Sequence, residues 1–96
     1  MDFSQIAEEL KKQAQNTAPI GGKIKFILDD QALVIDGTNN NEVTLGDGEA
    51  DCSIITDIET LVKMKNGDLN PMMAVMTGKV KIKGDMGLAM KLQSLL

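Results

Sequence analysis

The stretch Lys79-Val80-Lys81-Ile82-Lys83-Gly84-Asp85-Met86-Gly87-Leu88-Ala89-Met90-Lys91-Leu92-Gln93-Ser94-Leu95-Leu96 changes its period halfway along, and that change decides the fold class. Up to Lys83 the lysines and the apolar residues alternate strictly, as in a strand with one solvated face. Gly84 and Asp85 then end the strand and cap a helix. From Met86 to about Leu95 the apolar residues recur at helical spacing. On that wheel Met86, Leu88, Ala89, Met90, Leu92, Leu95 and Leu96 sweep roughly 220°, leaving Gly87, Lys91 and Ser94 on a narrow polar arc. A helix so apolar needs partners on two sides.

Upstream of this stretch the same two periods recur. Asn70-Pro71 sets an N-cap and a proline at the first helical position of a short helix over 72–77, which Gly78 ends. Thr56 and Glu59 form a capping box ahead of Ile58, Leu61, Val62 and Met64, with Gly67 at the C-terminal end. Short strands are expected over 42–45 and 51–55, separated by Gly46-Asp47-Gly48-Glu49. Over 23–28, Ile24, Phe26 and Leu28 share a face opposite Lys23 and Lys25. Asp29-Asp30-Gln31 turns this strand into another over 32–36. At the N-terminus Phe3, Ile6, Ala7, Leu10 and Ala14 mark an amphipathic helix of about 13 residues with a capping box at Asp2 and Gln5. Pro19 and Gly21-Gly22 break it within 16–22. A sheet with one lysine-rich face must cover its other face with helices, so the fold class is α+β, in a single domain over 1–96.

Composition removes several function classes. The 96 residues contain no His, Trp, Tyr or Arg, so a Ser-His-Asp triad and a His-ligated zinc site are excluded. One cysteine, Cys52, makes neither an internal disulfide nor a thiolate cluster, and it alternates onto the same inner face as Ile54. We expect no metal, no cofactor and no catalysis. The net charge of -4 opposes phosphate contact, so no nucleic-acid partner is expected, and Gly84-Asp85-Met86-Gly87 reads as turn and cap rather than as an RNA-binding loop. No apolar run reaches the roughly 20 residues of a membrane span, and Met1-Asp2-Phe3 opens without a signal-peptide pattern. A cytoplasmic protein is expected.

Six of the seven methionines, Met64, Met72, Met73, Met76, Met86 and Met90, fall in the C-terminal helices. Flexible thioethers suit a pocket that repacks around irregular apolar guests. A methionine stripe at helical spacing is more often a plain core, and the pattern alone favours that reading over a ligand cavity.

Residues 78–92, from Gly78 through Gly84-Asp85-Met86-Gly87 to Leu92, resemble the C-terminal signature of the sterol carrier protein-2 family. Ala50-Asp51-Cys52-Ser53-Ile54 and Asn70-Pro71 are similar to that family's pattern at corresponding places. The resemblance implies a five-stranded, mainly antiparallel sheet covered on one face by helices that enclose an apolar tunnel. It further implies a carrier that encapsulates fatty acid, fatty acyl-CoA, phospholipid or sterol-like ligands without covalent chemistry. On the family's pattern Met90 and Gln93 face the tunnel from the last helix, opposite Met72, Val75 and Met76. Phe26, Leu33, Ile35, Leu61, Met64 and Met86 complete the expected lining. Gln93 lies inside the apolar arc of the wheel, where an amide needs a partner and a lipid headgroup supplies one. The terminal helix is the expected lid. The lysines of the outer face allow transient contact with a membrane surface. The rival reading is a protein-interaction or homodimerisation module that uses the Met- and Leu-rich helices and takes no lipid.

Overall fold

The structure, a computed structural model, describes residues 2–96. The Asp2 carboxylate accepts the Gln5 N–H at 2.9 Å while the Gln5 side chain accepts the Asp2 N–H at 2.9 Å, and this reciprocal cap opens helix α1 (Phe3–Gln15). Ile6, Ala7, Leu10 and Ala14 form its buried stripe. Strands β1 (Lys23–Leu28) and β2 (Gln31–Asp36) form the expected hairpin, its turn shortened to two residues with Asp29 in the left-handed region at φ 56°. Then come β3 (Glu42–Leu45), β4 (Cys52–Thr56), helices α2 (Ile58–Lys65) and α3 (Pro71–Met76), β5 (Lys81–Gly84), helix α4 (Met86–Ala89) and a terminal 3-10 helix (Met90–Leu95).

The sheet order is β3-β2-β1-β4-β5. β1 pairs antiparallel with β2 and parallel with β4, while β2–β3 and β4–β5 are antiparallel, so the sheet is mixed with a single parallel pair among the described residues. This register sets Ile24, Phe26, Leu28, Leu33, Ile35, Cys52 and Ile54 on one face, all nearly or fully buried. α1 covers the β2–β3 half of that face, and α4 covers the β4–β5 half. The other face carries Lys23 and Lys25, and Lys25 Nζ pairs with Asp47 at 2.7 Å. Folded, the protein exposes 5394 Å², in line with the area expected of a 10.3 kDa globular chain.

Two expectations need correction. Thr56 does not cap α2, because it is still extended as the last residue of β4 and its hydroxyl donates instead to the Lys79 carbonyl at 2.9 Å. Asp57 is the cap: its carboxylate accepts the Thr60 N–H at 2.6 Å, and hydrogen bonding from Thr60 holds its pKa below the usual carboxylate value. The last helix does not run as one α-helix to Leu95 but tightens to a 3-10 helix at Met90.

The segment between α1 and β1 has no periodic structure, yet it is held firmly. Asn41, 2% exposed and at φ 58°, accepts the Ile20 N–H at 3.1 Å through Oδ1. Its Nδ2 donates to the carbonyls of Ala14 and Thr17 at 3.0 Å and of Ala18 at 3.2 Å. Asn suits the site because it tolerates the left-handed backbone and satisfies several buried groups at once. Replacement by Ala leaves these groups without their partner and strains the backbone. Asn41→Ala should therefore lower unfolding stability by about 3 kcal/mol in urea titrations. Asn41→Gly, freed of the left-handed strain, should lose about 1 kcal/mol less.

Candidate functional site

The part of the core that is not filled lies at the β5 edge of the sheet. Asn70 positions the first wall: its side chain accepts the Met72 and Met73 N–H groups at 2.8 and 3.4 Å, with Pro71 at the first helical position of α3. At the other end of α3 the Thr77 hydroxyl donates to the Met73 carbonyl at 2.8 Å, and the N–H groups of Lys79 and Val80 both return to the Ala74 carbonyl. This reversal buries Val80 and aims the chain into β5. Gly84, at φ +96°, then passes so close to the Asp51 carbonyl that a Cβ would collide with it. That carbonyl accepts the Asp85 N–H at 2.9 Å, and Asp85 in turn caps α4 by accepting the Leu88 N–H at 3.0 Å.

The tightening at Met90 gives the terminal segment three separate faces. A 3-10 helix has three residues per turn, so residues i and i+3 stand in line. Leu92 and Leu95 form the buried row, at 3% and 0% exposed. Lys91 and Ser94 meet the end of α1 and the segment after it: Lys91 Nζ donates to the Ile20 carbonyl at 2.9 Å, and the Ser94 carbonyl accepts from Gln13 Nε2 at 3.2 Å and Thr17 Oγ1 at 3.0 Å. Met90 and Gln93 are the third row, and both line the cavity. Gln93 is consequently solvent-accessible, not buried in an apolar arc as an α-helical wheel places it. Its amide is free to hydrogen-bond a guest or water.

The cavity has a volume of about 240 Å³. Pro71, Met72 and Val75 of α3 form one wall, Ile82 of β5 the floor, and Met86, Ala89, Met90, Leu92 and Gln93 the other wall. Gln93 is the only polar side chain among them, and no titratable group, hydroxyl or thiol reaches the lining. Met72, Met86 and Met90 are 50%, 55% and 63% exposed, so the cavity opens to solvent between α3 and the terminal helices.

Of the expected lining, the structure brings together Met72, Val75, Met86, Met90 and Gln93. It does not bring Phe26, Leu33, Ile35, Leu61 or Met64 to the cavity, because these are packed in the closed core with Ile6 and Leu10 of α1. Met76 is 78% exposed and stands outside it. The structure shows a pocket at the edge of the layer, away from α1, and does not show the expected tunnel. Pro71, Ile82, Ala89 and Leu92 also line the pocket, although the expected lining did not include them. Ile82 had a signal in its alternation with the lysines. Ala89 had one as the small residue on an otherwise bulky apolar face, where it leaves room.

Cys52 is 1% exposed on the inner face of β4, away from the pocket lining. Burial pushes its thiol pKa up, and the Asp85 carboxylate adds to the shift. Among the described residues no group of three Cys, Asp or Glu side chains is arranged to hold a metal ion, and no helix is long and apolar enough to cross a membrane.

A profile described as the SCP-2 sterol transfer family matches residues 3–96. The sterol carrier protein 2 of Rattus norvegicus is 36% identical over 102 residues, covering 97% of this chain and 19% of that protein. The chain thus spans about a fifth of the length of such curated relatives. Among solved structures, the sterol carrier protein domain 2 of Helicoverpa armigera superposes with a TM-score of 0.78 at 29% identity, over 95% of this chain and 82% of that one. The palmitated SCP2L2 of Aedes aegypti superposes with a TM-score of 0.81 at 21% identity, over 99% of this chain and 94% of that one, a likeness of fold.

The burial and raised pKa of Cys52 make a direct prediction. In the native protein at neutral pH the thiol should not react with Ellman's reagent, and one equivalent should react on unfolding in denaturant.

Proposed function

The chain belongs to the SCP-2 sterol transfer family, and from that membership we propose that it is a non-catalytic carrier that holds the apolar part of a lipid in the pocket between α3 and the terminal helices. The observation that carries this reading is the lining itself: an apolar cavity with one amide and no charge, hydroxyl or thiol, open at a methionine-rich mouth. Such a site takes hydrocarbon and leaves a charged headgroup in water. Fatty acid, fatty acyl-CoA, phospholipid and sterol-like molecules all fit that description, and a protein of the same fold has been described in a palmitated form.

At about 240 Å³ the pocket is smaller than the roughly 300–1,000 Å³ typical of ligand sites, so a long chain requires it to widen. The anchoring favours α3 as the part that moves. α3 buries only Ala74, whereas the terminal helices bury Leu88, Ala89, Leu92 and Leu95 and are tied through Lys91 and Ser94. Burying a sixteen-carbon chain gains about 12 kcal/mol gross at about 0.8 kcal/mol per CH₂. Losing about 4 kcal/mol or more of association freedom leaves dissociation constants in the micromolar range, weak enough for exchange.

Residues 71–96 carry four lysines against one aspartate in a chain of net charge -4, so the pocket-bearing end is the one suited to an anionic bilayer. Ligand release to vesicles containing phosphatidylserine should be several-fold faster than to neutral vesicles, and the difference should disappear at high salt.

Native mass spectrometry of the purified protein should show a lipid adduct on a 10.3 kDa monomer, and a fluorescent fatty acid should bind with micromolar affinity. Val75→Trp, which fills the cavity from α3, should weaken that binding at least tenfold while leaving the unfolding midpoint within a few degrees. A clean dimer that binds no probe would instead favour the interaction-module reading of the same exposed methionines.

A further inference from the structure

Accessible oxidisable sulfur among the described residues is gathered in one place. Of the methionines in the described residues, Met64 is 5% exposed, whereas Met72, Met73, Met76, Met86 and Met90 are all at least 50% exposed. Cys52 is enclosed, and the chain has no Trp, Tyr or His to intercept an oxidant. All five exposed thioethers lie on α3 and the terminal helices, the two elements that frame the pocket, and three of them, Met72, Met86 and Met90, line it.

We propose that Met72, Met86 and Met90 form a peroxide modification site that governs occupancy of the pocket; this rests on the carrier reading above. Hydrogen peroxide, or an organic hydroperoxide, transfers one oxygen atom to the thioether sulfur of each. The O–O bond breaks and an S–O bond forms. The proton of the transferred oxygen passes to the departing one, which leaves as water or an alcohol. Sulfur loses two electrons and the peroxide gains them, and the product is methionine sulfoxide.

The consequence comes from the lining. A sulfoxide is a strong hydrogen-bond acceptor, and Gln93 offers the only side-chain donor in the pocket wall. Three sulfoxides cannot all be satisfied by one amide, so they favour water at the mouth over an apolar chain. Bound lipid covers these three sulfurs and slows their oxidation, while Met73 and Met76, outside the lining, stay open to reagent. Occupancy and oxidation therefore oppose one another. Reduction by the two methionine sulfoxide reductases, one for each sulfoxide epimer, with a dithiol as reductant that is oxidised to a disulfide while the oxygen leaves as water, restores the apolar mouth.

The full chain is treated with hydrogen peroxide, and oxidation is mapped by peptide mass spectrometry with and without palmitate. We expect a 16 Da gain at each of Met72, Met73, Met76, Met86 and Met90 but not at Met64, with palmitate protecting Met72, Met86 and Met90 selectively. Affinity for a fluorescent fatty acid should fall at least tenfold and recover after both reductases. The triple variant Met72→Leu, Met86→Leu, Met90→Leu, a nearly volume-conserving change, is compared with its own untreated affinity for the probe and should show no fall on peroxide treatment. Unchanged affinity in wild type with all three sulfurs oxidised overturns the proposal, as does an equal loss in the triple variant. A separate readout keeps the carrier reading distinct: peroxide should shorten retention on a hydrophobic-interaction column more for wild type than for the triple variant, in which Met73 and Met76 are the exposed thioethers left among the described residues. If the untreated protein binds no probe, the carrier reading fails, and with it control of occupancy. The column and the oxidation map then still decide whether the modification site exists.

Discussion

The backbone of Ile20 is where the molecule is held closed. Its N–H is taken by Asn41 from the β2–β3 connection, its carbonyl by Lys91 from the terminal helix, and its side chain is 2% exposed in the core. Gly37 passes so near that a Cβ there would press into the Ile20 side chain and the backbone of Gly21 and Gly22. A buried backbone N–H and carbonyl must find partners somewhere, and here those partners come from two other parts of the chain. The C-terminal wall of the pocket is fixed because Lys91 and Ser94 are engaged on this side, which leaves the Met90 and Gln93 row for the cavity. α3 has no comparable anchor, so rigidity and looseness are divided between the two walls.

What was legible in the sequence was legible for a physical reason. Period-two alternation marked β1, β2 and β5, and 3.6-residue spacing with a capping box marked α1, because long stripes on one face report burial directly. The α2 cap was misplaced by one residue because Thr56 and Asp57 are both good capping residues. Only the strand pairing of Thr56 with the rest of β4 decides between them. The 3-10 winding at Met90 was not legible, since the apolar content of that stretch satisfies an α-helix equally well.

The pocket was legible in kind but not in position. The methionines at Met72, Met86 and Met90 indicated adaptable apolar surface, and the resemblance supplied its meaning. Yet Phe26, Leu33, Ile35 and Leu61 carry the same apolar signal and belong to solid core. The difference lies in what opposes them. α1 brings Ile6 and Leu10 over the β2–β3 half of the sheet, while Ile82 at the far edge lines the cavity together with the small side chain of Ala89. Which apolar residues face a filled volume and which an empty one is a property of the assembled layer, not of any one stripe. Asn41 shows the same limit, because a loop asparagine among three in a row gives no sign of four partners.

The clasp between the segment after α1 and the terminal helix joins residues 71 positions apart in the Lys91–Ile20 contact and 81 apart in the Gln13–Ser94 contact. Contacts of such separation form late, because the loop they close is nearly the whole chain. On a ribosome, where synthesis runs from N- to C-terminus, α1 and the strand beside it must wait for residues 91–94 before they are tied. The pocket therefore forms after the sheet strands have been made, and a nascent chain lacks it until synthesis has passed Gln93.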